Sequence, residues 1–255
     1  MKKFNSDLVS IVVPVYNAAQ FLDETIATTQ NQTYKNWEMI LVDDCSTDNS
    51  IEIIKKYQKD DTRIKLYQNK TNSYAAITRN KGIDESKGRY IAFLDADDLW
   101  KPTKLEKQLV FMQEKDCAFS FTDYEFADEH GNPNGKKVSV PVSITYRQAL
   151  KNTTIWTSTV MLDTKKLTKQ TIRMPNIRRG QDTATWWKIL KIIPKADGVN
   201  EVLSYYRRTT DSLSANKLTA LKRTWHIYRV VEKLGIIPSL YYFTCYVYNA
   251  VGRRV

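Results

Sequence analysis

Three groups of carboxylates stand where this chain could do chemistry. Asp43 and Asp44 end the apolar run MILVDD, Asp95, Asp97 and Asp98 follow YIAF, and Asp182 lies in Gly180-Gln181-Asp182 ahead of TATWWKIL. The first two groups each close a run of strand length, so they arrive at one edge of a sheet. Like charges crowded there repel, and a divalent cation offsets that cost while accepting hard oxygen ligands. Mg²⁺ or Mn²⁺ kept by one or two carboxylates, with waters and substrate phosphates completing the shell, is the usual arrangement for phosphate-bearing substrates. A carboxylate at a helix start, such as Asp182, can take a proton from an attacking hydroxyl. Plainer roles are open to each group: Asp43 or Asp44 capping the next helix, residues 95–98 forming a solvated acidic turn, and Asp182 meeting a helix dipole.

The elements that must hold these residues follow from the pattern. Val9 to Tyr16, Met39 to Asp44, Arg63 to Tyr67 and Tyr90 to Asp95 are short apolar or β-branched runs that predict strands. Helices are predicted over Gln20 to Gln30, over IEIIKKYQ behind the N-cap candidates Ser46 to Ser50, and over Tyr74 to Ser86. Strands alternating with helices imply a mainly parallel α/β sheet covered on both faces, with ligands at the carboxyl ends of its strands. Pro102 suits a first helical turn before the amphipathic KLEKQLVFMQEK. The order then becomes mixed, α+β: a strand over Phe119 to Phe126, a turn from Glu129 to Gly135 leading to another strand, a helix over Gln181 to Ile193 stopped by Pro194, and a basic helix over Leu218 to Leu234.

A chain of 255 residues with 42% hydrophobic content can bury a sizeable core, and its net charge of +11 favours anionic partners such as phosphates, nucleic acid or an acidic membrane face. Cys45, Cys117 and Cys245 form no CxxC pair, which suggests neither zinc nor a disulfide framework and leads us to expect a cytoplasmic protein. The N-terminal apolar run is broken by Pro14 and has no small-residue cleavage site, as expected of a protein that is not secreted. No GxGxxG occurs and no glycine precedes Gly82, which argues against a dinucleotide oxidoreductase and against the glycine-rich loop of a sugar-nucleotide pyrophosphorylase. A nucleic-acid backbone binder would gain nothing from Asp43, Asp44, Asp95, Asp97 and Asp98 on one rim.

The segments SIVVPVYN, VDDCSTDNS and FLDADDLW, in this order over residues 9 to 100, resemble the family-2 glycosyltransferases. The resemblance implies a GT-A, Rossmann-like fold and a metal-dependent, inverting transfer from a UDP- or dTDP-sugar, UDP being favoured, with Mn²⁺ or Mg²⁺. It puts Pro14, Val15 and Tyr16 along the nucleoside pocket, Asp43 and Asp44 in the donor site with Asp44 at the base, Asp95 at the ribose and Asp97 on the metal that bridges the diphosphate. Arg79 in AAITRNKGI matches an Ala-Arg-Asn element near the nucleotide, although Asn72-Ser73-Tyr74 stands where the family commonly has glycine. Asp182 matches the second member of an acidic pair that holds the catalytic base, with Gln181 in place of the first. Tyr205-Tyr206-Arg207-Arg208 resembles a Tyr-Arg segment ahead of a mobile loop that closes on the donor, which places Arg207 in the donor site. Arg178, Arg179 and Arg208 suit phosphate contacts or a solvated basic surface. Trp186 and Trp187, adjacent on a helix, can present at most one ring to a sugar, and both lying in the core is the alternative.

The implied activity is transfer of one sugar to a hydroxyl of a glycan or lipid-linked glycan in bacterial cell-surface polysaccharide synthesis. A transferase-like binding protein without turnover is the alternative that Gln181 keeps open. The expected organisation is a catalytic domain over residues 1–215, with a nucleotide-sugar half over 1–130 and an acceptor half over 131–215, followed by a helical extension over 216–255. In that extension Lys222, Arg223, Arg229 and Lys233 face Glu232 alone, and Leu234 to Gly252 carries no charge. Pro238 and the tyrosines argue against a membrane span. An interfacial element on the inner membrane face, a buried helix and a homodimer contact are the three readings.

Overall fold

Strand β1 (Val9–Val15) is buried except for Pro14. Val9, Ile11, Val13 and Val15 enter one apolar cluster while Val12 enters another, the alternation of a strand covered on both faces. Proline is tolerated in this central strand for a local reason. The carbonyl of Val12 accepts from Leu94 N at 3.1 Å, so residue 14 turns its missing N–H to the same side, where the neighbouring strand has already ended at Phe93.

The computed structural model describes residues 7–152, 154–208 and 217–252. β1 pairs in parallel with β2 (Trp37–Asp43) and β4 (Tyr90–Phe93), and β2 with β3 (Ile64–Gln68). Helices α1 (Ala19–Gln30), α2 (Ser50–Asp60) and α3 (Tyr74–Glu85) make the crossovers. The N-terminus of α2 takes no side-chain cap from Asn49. Asp48 instead accepts from Ala19 N at 3.0 Å and Ser50 Oγ at 2.6 Å, joining the starts of α1 and α2. Gly82 lets α3 approach β1 closely, since a Cβ there would lie 2.5 Å from Val12 Cγ1.

After β5 (Leu99–Trp100) and α4 (Lys104–Lys115), the chain adds β6 (Phe119–Ala127), β7 (Pro133–Val138), β8 (Ser143–Ile144), α5 (Tyr146–Lys151), a short 3₁₀ turn at Thr157–Thr159, β9 (Met161–Asp163), α6 (Lys169–Ile172), α7 (Gln181–Leu190) and β10 (Ala196–Arg207). β9 runs antiparallel between β4 and β6, so both halves share one sheet in the order β3-β2-β1-β4-β9-β6-β10-β5. This is the α/β, mainly parallel architecture that the sequence implies. Helix α7 ends at Leu190 rather than Ile193, because the residue before Pro194 is disfavoured in helical conformation. The basic stretch after residue 216 divides into α8 (Lys217–His226), a π-helical turn at Ile227–Val231 and α9 (Ile236–Gly252). Ile227 and Tyr228 of that turn are buried in the core formed with α5 and α7.

Candidate active site

At the rim of β1 and β2 the loops brace one another. Asn17, with φ of 48°, accepts from Thr47 N at 2.8 Å through its side chain and donates its backbone N–H to Ser46 Oγ at 2.9 Å. Pro14 is half-buried and Val15 buried, while Tyr16 is 55% exposed above them. Asp43 turns its carboxylate into its own loop and accepts from the backbone N–H of Cys45 and of Ser46. Asp44 is also buried: it accepts from Asn69 Nδ2 at 2.7 Å and from the backbone N–H groups of Ser73 and Tyr74, both at 2.8 Å. Those two bonds hold Tyr74 at φ of 63°, a left-handed conformation that glycine would adopt freely. The missing glycine is thus replaced by a carboxylate that clamps the N-terminus of α3. The Tyr74 ring remains exposed, with the Arg178 guanidinium 5.0 Å from its centroid, and Arg179 is exposed.

The Asp95-Ala96-Asp97-Asp98 turn is fixed from three directions. Thr25 Oγ1 lies 3.0 Å from the carbonyls of both Ala96 and Asp98. Ser158 Oγ donates to Asp98 at 2.6 Å and accepts from Asp95 N at 3.1 Å. Arg207, only 2% exposed, donates through Nε to Asp97 O at 2.8 Å, through one terminal nitrogen to Glu129 O at 2.7 Å, and through the other to the Glu24 carboxylate. Its guanidinium is occupied by these three acceptors and positions the acidic turn. The sequence could not reveal this, because all three acceptors lie far from Arg207 in the chain.

Charge is concentrated at this turn. Burial, then the Asp95 carboxylate, pushes Asp97 up to about 6, and Asp98 is raised well above the usual carboxylate range by burial and by Asp97 and Asp95. Buried Arg79 pairs with Asp95 through a charge-assisted hydrogen bond. Burial alone would lower its pKa, but Asp95, with Asp182 and Asp97 adding to it, raises it instead. One guanidinium thus senses carboxylates from both the acidic turn and the start of α7. Among the described residues no group of three or more His, Cys, Asp or Glu side chains is arranged to hold a metal by itself. A half-buried Asp97 whose ionisation is opposed by burial and by Asp95 suits a cation that brings its remaining ligands with the substrate.

Asp182 lies in the first turn of α7, where Thr157 Oγ1 donates to its carboxylate at 3.3 Å. Thr157 and Ser158 are neighbours, so one 3₁₀ turn links Asp182 to Asp98 and Asp95. Sequence reasoning missed this connection, since WTST has no charge and no periodic pattern. Gly180, at φ of 77°, caps α7, and a Cβ there would lie 2.6 Å from Ile227 Cδ1 and 3.1 Å from Arg223. The C-terminal helices thus buttress the loop that carries Asp182.

The aromatic residues divide differently from the first expectation. Trp186 is 1% exposed, packed against Phe93 and Phe119 with centroids at 5.7 and 5.4 Å, and Trp187 is 2% exposed, stacked on Tyr228 at 5.2 Å. Both belong to the core. The half-buried rings lie instead at Trp156, Tyr124, Phe126 and Tyr206, where Trp156 sits 4.9 Å from Tyr124 and 4.7 Å from Tyr206. Arg208 covers Phe126 at 3.8 Å. The loop expected to close on the donor, residues 209–216, lies outside the described residues.

Comparison with known proteins bears on the family and the fold. The model of the family "Glycosyl transferase family 2" matches residues 10–173. The chain is 47% identical over 248 residues to the putative teichuronic acid biosynthesis glycosyltransferase TuaG of Bacillus subtilis, covering 97% of this chain and 98% of that protein. It is 37% identical over 221 residues to the Escherichia coli UDP-Glc:alpha-D-GlcNAc-diphosphoundecaprenol beta-1,3-glucosyltransferase WfgD, covering 86% and 85% of the two chains. Residues 1–349 of S. aureus TarS, in complex with UDP-GlcNAc, share the fold with a TM-score of 0.75 at 18% identity, over 94% of this chain and 71% of that one. By the family match and these identities, the chain belongs to glycosyl transferase family 2 and is a glycosyltransferase.

Proposed function

We propose that the protein moves one sugar, with inversion at the anomeric carbon, from a UDP-sugar to a hydroxyl of a lipid-linked glycan during cell-surface polysaccharide synthesis. The observation that carries this reading is the Thr157-Ser158 turn, whose hydroxyls bond the Asp182 carboxylate, the Asp98 carboxylate and the Asp95 backbone, so that the acidic turn and the half-buried Asp182 stand at one site. The printed names of the relatives support the acceptor class, since one acts on a diphosphoundecaprenol-linked sugar and another is assigned to teichuronic acid synthesis. An acceptor of that kind would keep the enzyme at the inner face of the membrane.

In this reading Tyr16 and the rim of Pro14, Val15, Asp43 and Asp44 receive the nucleoside, while Asp95 faces the ribose. Asp97, with Asp95 beside it in the same turn, would hold Mn²⁺ or Mg²⁺. When bound, the ion offsets the charge of the departing nucleoside diphosphate. Asp182 takes the proton of the acceptor hydroxyl as that oxygen bonds to the anomeric carbon and the bond to the diphosphate breaks. Thr157 orients Asp182 by its hydrogen bond. Trp156, directly before Thr157, offers an aromatic face to the acceptor sugar. Arg79 and Arg207 act by positioning: Arg79 fixes Asp95, and Arg207 fixes the backbone of the acidic turn.

The test is to incubate the protein with UDP-glucose, Mn²⁺ and a synthetic α-N-acetylglucosaminyl diphosphate carrying a lipid chain, then determine the product linkage by NMR. A β-linked glucose and free UDP are expected. An α-linked product would contradict inversion, and UDP release with no lipid product would contradict the acceptor class.

A further inference from the structure

Helix α9 carries no charged residue over its length, Ile236–Gly252. Its inner face docks on the protein: Ser239 and Tyr246 are buried, Tyr242 and Phe243 pack against the core, and Asn249 Nδ2 donates to Lys151 O at 3.0 Å. The opposite face presents Ile237 (82% exposed), Leu240 (52%), Tyr241 (54%) and Tyr248 (80%) to solvent. A helix on the surface of a water-soluble protein turns charged or polar residues outward, and this one is largely apolar on both sides. No helix among the described residues is long and apolar enough to cross a membrane.

The charge around this face has one sign. Residues 217–255 contain seven Lys and Arg against one acid, Glu232, and the Glu232 carboxylate is occupied by Lys191 and the Tyr146 hydroxyl. Lys222 in α8 and Lys233, three residues before α9, are exposed. A second copy of this face would bring two basic surfaces together, which opposes self-association. An anionic bilayer complements both the apolar and the basic parts, and tyrosine rings suit the level of the lipid headgroups.

We propose that the outer face of α9, flanked by Lys222 and Lys233, docks on an anionic lipid bilayer with the helix lying in the plane of the interface. The adjoining segment holds Gly180 through Ile227 and Arg223, so docking also fixes the Asp182 end of the active site relative to the bilayer. This inference rests on the surface alone and is independent of the sugar transferred.

The experiment is vesicle co-sedimentation of the full chain, with phosphatidylcholine alone and with added phosphatidylglycerol, at low and high salt. Binding only to the phosphatidylglycerol vesicles is expected, weakened by salt. The double variant Ile237→Glu/Leu240→Glu should lose more than about tenfold in vesicle affinity, and Lys222→Ala or Lys233→Ala about fivefold each. Because these side chains are exposed, unchanged circular dichroism and UDP affinity check that the variants are folded. Absence of wild-type binding, or double-variant binding equal to wild type, would overturn the proposal. A wild-type dimer that the double variant converts to a monomer, with no vesicle binding by either, would assign the face to a second copy instead.

Discussion

Along the rim of β1, β2 and β4, each candidate carboxylate stands at the end of the strand that delivers it. Asp43 and Asp44 end β2 and Asp95 follows β4, each held by neighbouring backbone or by one buried arginine. The rim of β6 and β10 is built otherwise. There Thr157, Asp182 with Gly180, and Arg207 come from separate parts of the chain, and the C-terminal segment backs Gly180 through Ile227 and Arg223. The difference teaches that strand ends deliver the first set of carboxylates locally, even though Thr25, Ser158 and Arg207 then fix the acidic turn, whereas the second set is assembled by tertiary contacts alone.

The largest expected effect separates these sides most cleanly. Asp182→Asn should lower kcat by about 10²–10⁴-fold while UDP affinity stays nearly unchanged, as read by steady-state kinetics and calorimetry. Near-normal turnover would remove Asp182 as the base. Trp186→Ala, a core change on the acceptor side, should cost about 3–5 kcal/mol of stability in a denaturant titration. A loss of transfer without a loss of stability would return that ring to the site. Ser158→Ala deprives the buried Asp98 carboxylate of its hydroxyl donor and should cost about 1–3 kcal/mol, with weakened nucleotide binding because the same hydroxyl anchors Asp95. Gly180→Ala combines a left-handed φ with a close contact at Ile227, so the backbone strain alone should cost about 1–2 kcal/mol, and kcat should fall before UDP affinity does.

A dependence on pH is expected from a buried lysine in α4. Lys104 is 0% exposed, donates to Gln108 at 2.7 Å and lies 4.1 Å from the Trp100 centroid. Burial lowers its pKa from 10.5 to about 7. The folded state therefore binds fewer protons than the unfolded chain between those values, so stability increases as pH rises through that window and is lost as pH falls toward 7. The slope is at most about 1.4 kcal/mol per pH unit. Lys104→Met should flatten this dependence and raise the midpoint of thermal unfolding at neutral pH. An unchanged pH profile would mean that the amine remains charged where it is buried.

The legibility of the site in the sequence follows the same division. VDDCSTDNS and FLDADDLW could be read because strand, carboxylate and loop are contiguous, and the parallel sheet followed from their alternation with helices. Asp182 stands out at a helix start, but the role of catalytic base comes to it only through the resemblance. The Thr157-Ser158 bridge carries no local signal, and neither do the three acceptors of Arg207, which lie far from it in the chain. Trp186 and Trp187 could not be assigned from helical spacing alone, because the choice depends on Phe93, Phe119 and Tyr228 from other elements. The clamp of Asp44 on Tyr74 was likewise hidden, since it replaces a glycine by a tertiary contact.

The most direct measurement is calorimetric titration of the wild-type protein and of Asp97→Ala with UDP, dTDP and GDP, each with Mn²⁺ or with chelator. The account predicts that the wild type binds UDP selectively and only with the ion, and that Asp97→Ala loses the metal-dependent part. Equal binding of UDP with chelator, or an unchanged metal dependence in Asp97→Ala, would contradict it.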